Sequence, residues 1–191
     1  SAYVSTYRGP HADAPESVSV TVPVNLAVHK AVSPGLLAAH YRLGQQRPVG
    51  STRVAVYTSD DAGGFGPALQ IVTDQTALVM DSVTVLLHRF GVAYTAIMNP
   101  VMLAHRGPAG DLLDLRPAAE AADVRDGVQE AWIHVQLAPT VDTKAVADVA
   151  QALPTVLEDA SQVALDTDAL AATLDDLARQ VDTDTGGRFP G

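Results

Sequence analysis

The sequence predicts an α+β fold in which two helices pack on one face of an antiparallel sheet. An apolar run ends at Thr73-Asp74, and helical spacing of apolar residues follows at once. Gly91 stands where that helix needs a left-handed terminal residue, and an extended pattern resumes after it. The segment Gly107-Pro108-Ala109-Gly110 is a hairpin signal between two further strands. The predicted elements are strand 69–73, helix 76–90, strands 92–98, 101–106, 111–116 and 131–137, and a helix over about 142–159.

Periodicity supports the two central elements. Helix 76–90 carries one apolar stripe, and Arg89 suits the negative end of its dipole. Strand 131–137 alternates, which places Ile133 on the inward face and Trp132 on the opposite one. Trp132 is then either covered by the N-terminal segment or exposed at an interface.

The first fifty residues predict an extension with its own elements. Residues 1–16 look loosely structured, whereas residues 17–24 alternate valine with serine and threonine as a half-buried strand does. Ser33 and Pro34 suit the start of a short helix that ends near residue 43. Residues 117–130 are polar and predict a loop.

The predicted sheet lacks a fourth strand at its usual place. Helix 142–159 is followed by another helical pattern, at about 166–181, rather than by a strand. Residues 53–58 alternate, and the glycine-rich segment 59–67 is long enough to reverse the chain. We therefore expect residues 53–58 to fill the vacant position, antiparallel to residues 69–73, because a buried strand cannot leave its backbone groups unpaired.

Composition excludes several classes of function. A chain of 191 residues allows one domain with extensions or two small domains. The net charge of −10 argues against nucleic-acid binding, and no apolar run is long enough to span a membrane. The absence of cysteine excludes disulfides and thiolate metal sites and fits a cytoplasmic protein. Because the chain begins without Met, we expect it to be part of a longer protein.

Familiar catalytic patterns do not occur in the sequence. Ser82 and His134 lack the strained G-x-S-x-G turn of a hydrolase. The six histidines form no H-x-x-x-H pair, which disfavours a zinc site. Residues 63–67 are glycine-rich, but neither a helix nor a Lys-Ser/Thr pair follows them, so no nucleotide phosphate loop is predicted. We predict no catalytic residue, metal site or NAD site in this chain.

Charge is concentrated near the C-terminus. Beyond Pro139 the chain has ten acidic residues, against Lys144, Arg179 and Arg188. Two interpretations stay open: a solvated helical face, or a surface that docks a basic neighbour.

An ordered set of motifs resembles the N-terminal region of the large, bacterial NAD-specific glutamate dehydrogenases. The central motif is IVTDxxxxxxDSV, over residues 71–83. Upstream lies Arg42-Leu43-Gly44-Gln45-Gln46-Arg47-Pro48. Downstream lie Arg106, then Gly110-Asp111-Leu112-Leu113, then Glu130-Ala131-Trp132-Ile133-His134-Val135. In the turn after the central strand, Gln75 stands where that family usually has a second acidic residue.

The resemblance implies an ACT-like, ferredoxin-like regulatory region without catalytic activity. The implied divisions are an N-terminal extension (1–51), an ACT-like domain (52–160) and a C-terminal helix or linker (161–191). The parent enzyme would oxidatively deaminate L-glutamate to 2-oxoglutarate with NAD, and the NAD and catalytic sites would lie outside this chain. The implied partners are the other domains of the same chain, a second copy in a homo-oligomer, and an amino-acid effector.

The effector site that we predict is the turn between the central strand and its helix. Asp74 either caps the helix or contacts a ligand, and free N–H groups at a helix start can hold a carboxylate. Two alternatives to a domain of a dehydrogenase stay open: a stand-alone amino-acid sensor, or a structural module that pairs sheet edges across subunits. The predicted effector residues are Asp74, Gln75, Thr76, Ala77 and Leu78.

Overall fold

The structure is a computed structural model, and it describes residues 3–7, 18–22, 33–61, 64–120 and 127–185. The strands are β1 (Tyr3–Tyr7), β2 (Val18–Val22), β3 (Arg53–Tyr57), β4 (Ala68–Asp74), β5 (Tyr94–Met98), β6 (Val101–Arg106), β7 (Leu112–Pro117) and β8 (Val128–Leu137). The helices are α1 (Pro34–Gly44), α2 (Val79–Arg89) and α3 (Thr143–Thr185).

A six-stranded antiparallel sheet forms the centre of the fold. Its order is β3-β4-β8-β6-β7, and β5 also pairs with β8. β5 lies beside the second half of β8 and β6 beside the first half, so that β5 and β6 occupy one sheet position in succession. Asn99 and Pro100 separate them, where proline cannot donate to the ladder. The predicted α+β fold is confirmed, and β1 and β2 form a separate two-stranded sheet.

β3 fills the fourth-strand position. It runs antiparallel to β4, with Arg53 opposite Val72 and Tyr57 opposite Ala68. The prediction that residues 53–58 supply the missing strand is therefore confirmed. The last strand of the ferredoxin-like order is thus the first strand of this sheet along the chain, and the other side of β4 pairs with β8.

The two faces of the sheet are covered by different helices. α2 and α3 pack on the face that carries Leu69, Ile71 and Ile133, as predicted, and form the main apolar core. α1 packs on the other face, where Trp132 is almost fully buried. Of the two alternatives for Trp132, the structure shows coverage by the N-terminal segment. A Cβ atom on Gly44 of α1 would overlap the indole ring, so the helix approaches it closely because this residue is glycine.

Four predicted boundaries are wrong. β1 occupies part of the segment that looked loosely structured, and β8 begins at Val128, inside the predicted loop. α2 begins at Val79 rather than at Thr76. α3 is one helix of 43 residues that continues through Pro154, where two helices were predicted. Parts of two other predictions, the ends of strand 17–24 and the centre of loop 59–67, lie outside the described residues.

Candidate functional site

Strand pairing brings two carboxylates together at one end of the sheet. Asp74 ends β4 and lies directly opposite Glu130 on β8, so both side chains are on the same face. Glu130 is fully buried, whereas Asp74 keeps about a quarter of its side chain exposed, 26%. Two such charges need cationic partners, because an unpaired buried carboxylate is strongly disfavoured.

Glu130 receives four hydrogen bonds. The Arg106 guanidinium binds it in a bidentate manner, with Nε 2.5 Å from Oε1 and Nη2 2.9 Å from Oε2. Trp132 Nε1 donates to Oε2 at 3.0 Å, and Arg47 Nη2 donates to Oε1 at 2.5 Å. Planar charge-assisted bonds of this kind are the strongest hydrogen bonds in proteins.

Arg47 connects this carboxylate to the second one. Its side chain is fully buried, and Nη2 also donates to Asp74 Oδ1 at 2.6 Å. Nη1 donates to the Ser51 carbonyl at 2.7 Å, and the Gly50 amide donates to Asp74 Oδ2 at 2.8 Å. The cluster of Arg47, Asp74, Arg106 and Glu130, called the ion cluster below, thus holds two positive and two negative charges.

The β6–β7 hairpin fixes the backbone around Arg47. The Arg47 amide donates to the Gly110 carbonyl at 2.9 Å, and Arg106 Nη1 donates to the same oxygen at 2.9 Å. Gly110 has φ of +88°, and a Cβ atom there would lie 2.5 Å from the Pro48 nitrogen. Glycine is therefore required both by the backbone conformation and by the close approach of the two segments.

The ion cluster controls the protonation of Glu130. Burial alone would raise the pKa of this carboxyl, but the hydrogen bonds and charges of Arg106 and Arg47 outweigh burial and lower the pKa below its ordinary value. Glu130 is therefore an ionised structural anchor at neutral pH.

The contacts of the predicted effector turn differ from those that the sequence predicts. Asp74 does not cap α2, because its carboxylate binds Arg47 and Gly50, and the residue at the N-cap position is Leu78. The Gln75 amide donates to the Gln129 carbonyl at 2.9 Å. Gln75 Oε1 and Thr76 Oγ1 are buried and have no hydrogen-bond partner among the described residues.

A small polar cavity adjoins Asp74. Its volume is about 100 Å³, and of the five predicted effector residues only Asp74 lines it. The other walls come from β4 and the segment before β3 on one side and from α3 on the other. The lining residues are Gly50, Thr52, Thr73, Asp74, Leu157, Glu158, Ser161, Gln162 and Leu165.

A larger, mainly apolar groove lies at the opposite end of the sheet. It has a volume of about 490 Å³ and lies between the ends of β3 and β8 and the start of α3. Sequence inspection missed it because its walls come from segments far apart in the chain. The lining residues are Val56, Tyr57, Thr58, Ser59, Asp60, Pro67, Leu137, Pro139, Val141, Thr143 and Val146.

Two histidines, His40 on α1 and His134 on β8, are buried between α1 and the sheet. His40 Nε2 donates to the Ile71 carbonyl at 3.2 Å, and its ring lies 5.2 Å from that of Trp132. His134 Nδ1 lies 3.4 Å from Gln70 Nε2, which donates to it. Burial lowers the pKa of His40 to about 3 and that of His134 to about 4, so both imidazoles are neutral at pH 7.

Among the residues that the structure describes, no group of three or more His, Asp or Glu side chains could hold a metal ion. In the same part of the chain, no helix combines the length and the apolar character that crossing a bilayer requires.

Comparison with known proteins identifies the family. Residues 26–153 match the family described as the glutamate dehydrogenase ACT1 domain. The chain belongs to this family. It is also 48% identical, over 192 aligned residues, to a protein of Mycobacterium tuberculosis named NAD-specific glutamate dehydrogenase. That alignment covers 98% of this chain and 11% of the relative, so the chain spans about one ninth of the relative's length.

The ion cluster unites the motifs that carried the sequence resemblance. Arg47, Asp74, Arg106 and Glu130 each come from a different one of those motifs, and Trp132 follows Glu130 in the last one. These motifs therefore meet at one site of this chain, where their charges bind one another.

Loss of the Glu130 charge should destabilise the fold strongly. Glu130→Gln keeps the shape of the side chain but leaves Arg47 and Arg106 buried with one carboxylate fewer. Breaking a buried ion pair costs about 3–5 kcal/mol of unfolding free energy. Urea denaturation should show this loss, with Asp148→Asn, which removes an exposed pair with Lys144, as the matched control without measurable effect. Equal midpoints for the two variants would contradict the structural role of Glu130.

Stability should fall as the pH drops below about 6.5. The pKa values of His40 and His134 are lowered by folding, so at acidic pH the unfolded chain binds protons that the folded chain does not. The loss should be at most about 1.4 kcal/mol per pH unit for each histidine, between pH 6.5 and about 4. Glu130 adds a loss below its ordinary pKa, because its pKa is also lowered by folding.

Urea denaturation from pH 7.5 to pH 4.5 measures this slope. His40→Asn should reduce it, whereas His88→Asn, which replaces an exposed imidazole on α2, should preserve it. A constant unfolding free energy across the range would contradict the neutral, buried state of the two histidines.

Proposed function

We propose that this chain is a non-catalytic regulatory and oligomerisation domain in the N-terminal region of an NAD-dependent glutamate dehydrogenase. The parent enzyme would oxidatively deaminate L-glutamate to 2-oxoglutarate in the cytoplasm, and its NAD site would lie outside these residues. The observation that carries the proposal is the match to the ACT1 domain family together with 48% identity to a glutamate dehydrogenase.

The state of the charged groups supports a non-catalytic role. Arg47, Arg106 and Glu130 are buried and bind one another, so none of them is free to bind a substrate. The buried histidines are held neutral by burial, and each donates through Nε2 to a fixed partner. Charged and polar groups that bind one another inside the protein in this way stabilise its fold.

We place the amino-acid effector at the turn of Asp74, Gln75, Thr76, Ala77 and Leu78. Asp74 is the residue that links this turn to the small cavity, where its partly exposed carboxylate can accept a ligand ammonium group. The side-chain oxygens of Gln75 and Thr76, which have no hydrogen-bond partner within the described part of the chain, lie in the same turn.

The division into an extension (1–51), an ACT-like domain (52–160) and a C-terminal helix or linker (161–191) stays part of the proposal. A purely structural module that pairs sheet edges across subunits is the alternative, and one observation favours it: β3 ends the sheet and pairs with a strand on one side among the described residues.

The purified chain should not form NADH from L-glutamate and NAD. The sequence contains two lysines, Lys30 and Lys144, and neither stands in a glycine-rich segment. Absorbance at 340 nm measures the reaction, with a bacterial glutamate dehydrogenase as the positive control. Turnover that co-purifies with this chain and disappears in its absence would contradict the non-catalytic assignment.

Replacement of Asp74 should weaken binding of an amino-acid effector. Isothermal calorimetry with a panel of amino acids identifies the effector, and Asp74→Ala should then raise its dissociation constant about tenfold or more, since a charge-assisted hydrogen bond contributes about 1.5–3 kcal/mol. Asp81→Ala, which removes an exposed carboxylate in the first turn of α2, is the matched control.

A second variant separates binding from folding, because Asp74 also holds Arg47. Ser161→Leu fills the cavity from the side of α3 and leaves the ion cluster intact. It should also weaken binding. Unchanged affinity in both variants would place the effector elsewhere, and no heat with any amino acid would favour the structural module.

A further inference from the structure

The two halves of α3 carry the same apolar stripe, but only the first half is covered. Val146, Val149 and Leu153 are buried against the sheet and α2, and Ala160 is the last buried residue among the α3 side chains that the structure describes. Beyond it the helix continues for 25 residues, about 37 Å at 1.5 Å per residue. The large apolar residues of this outer part that are at least half exposed are Val163, 53%, Leu165, 61%, Leu170, 61%, Leu174, 57%, and Leu177, 51%.

The stripe follows a heptad repeat through both halves. Its positions alternate spacings of three and four residues over five heptads, with Thr167 as the polar member. A straight helix drifts by about 20° per heptad relative to this repeat, so a repeat sustained over this length is the pattern of a helix that packs along another helix. The positions are Val146, Val149, Leu153, Val156, Ala160, Val163, Thr167, Leu170, Leu174, Leu177 and Val181.

The residues beside the stripe permit a second helix to approach closely and carry few charges that would select it. One flank is alanine in three successive heptads, Ala164, Ala171 and Ala178. The other flank contains a single charge, Asp166, followed by Thr173 and then Gln180. Charges at these flanking positions set the choice and orientation of a partner helix, and here they are nearly absent.

Apart from Asp166 on the flank, the acidic residues of the outer helix whose side chains the structure describes, Asp175 and Asp176, lie further from the stripe. By the heptad positions, they lie on the side of the helix away from a partner, where two copies repel each other weakly. A basic partner would instead be matched by acidic residues along the flanks themselves.

We infer that residues 160–181 of α3 pair with the same segment of a second copy of this chain as a two-helix coiled coil. This inference rests on the oligomerisation role proposed above and gives it a surface. Three heptads of the stripe from each copy would be buried between the two helices. The stripe that packs the first half of α3 against its own sheet would then also pack the outer half against the partner.

Sedimentation equilibrium of the 191-residue chain tests the inference. We expect a reversible monomer–dimer equilibrium at chain concentrations between about 1 μM and about 500 μM, a range that covers dissociation constants in the micromolar range. The triple variant Leu170→Ala, Leu174→Ala, Leu177→Ala should be monomeric, since each truncation should weaken pairing about tenfold or more. Alanine favours the helical state, so the variant removes the contact without breaking the helix.

Leu165→Ala is the matched control. Leu165 is as exposed as Leu170 but lies on the opposite side of the helix, outside the stripe. The control should dimerise as the unchanged chain does. A monomeric unchanged chain across the whole range overturns the inference, and so does a dimer that survives the triple variant.

Calorimetry on the triple variant keeps this inference separate from the effector proposal. The triple variant lies outside the cavity beside Asp74 and should bind the effector with unchanged affinity. Loss of dimerisation with retained effector binding supports the coiled coil. Equal dimerisation of the triple variant and the unchanged chain overturns it, whatever the effector result is.

Discussion

The carboxylate of Glu130 is the group on which the arrangement of this domain depends. It lies on the central strand β8, fully removed from water, where a lone negative charge would be expelled or neutralised. Two guanidinium groups and one indole N–H satisfy it, and they come from β6, from the segment before β3 and from β8 itself. Because each donor is needed to offset the cost of burial, each fixes the segment that carries it.

The same cluster explains why the part of the chain before β3 packs against the sheet. Arg47 reaches Glu130 only when its backbone lies against the β6–β7 hairpin, at the glycine of that hairpin. The preceding helix α1 then lies over Trp132 and His134 and excludes water from that face. Burial of the two histidines and of Glu130 thus has one origin, the docking of residues 34–51, and their shared acid sensitivity follows from it.

Sequence patterns predicted the strands whose formation depends on neighbouring residues. Alternation and hairpin residues identified β6, β7 and β8, and the requirement for paired backbone groups placed β3 beside β4. Of the two interpretations of Asp74, the helix cap is wrong, because capping rules consider the helix that follows, whereas the carboxylate binds an arginine 27 residues earlier in the chain. Nothing in spacing alone joins Arg47 to Glu130, 83 residues apart, although both stood in the motifs of the resemblance.

The predicted boundaries of the C-terminal helices were wrong for a different reason. Two C-terminal helices were predicted, over about 142–159 and about 166–181, whereas α3 is continuous. Pro154 lies inside it and carries a local cost, because proline removes one helical hydrogen bond and clashes with the preceding turn. The heptad stripe on either side of Pro154 is continuous, however, and burial of Val149, Leu153 and Leu157 holds the helix together across that residue. Tertiary packing outweighed the local cost.

Asp74 lies where the compact body meets the outer part of α3. The cavity beside it is lined by Leu157, which is buried in the core, and by Leu165, which is exposed beyond the last buried turn. A ligand there would touch the ion cluster and the start of the projecting helix together. Such a ligand can shift the position of the helix only by as much as its affinity differs between two positions. The contacts that would create that difference are those of Ser161 and Gln162, because the Arg47 side of the cavity is held by buried ion pairs and the α3 side is not.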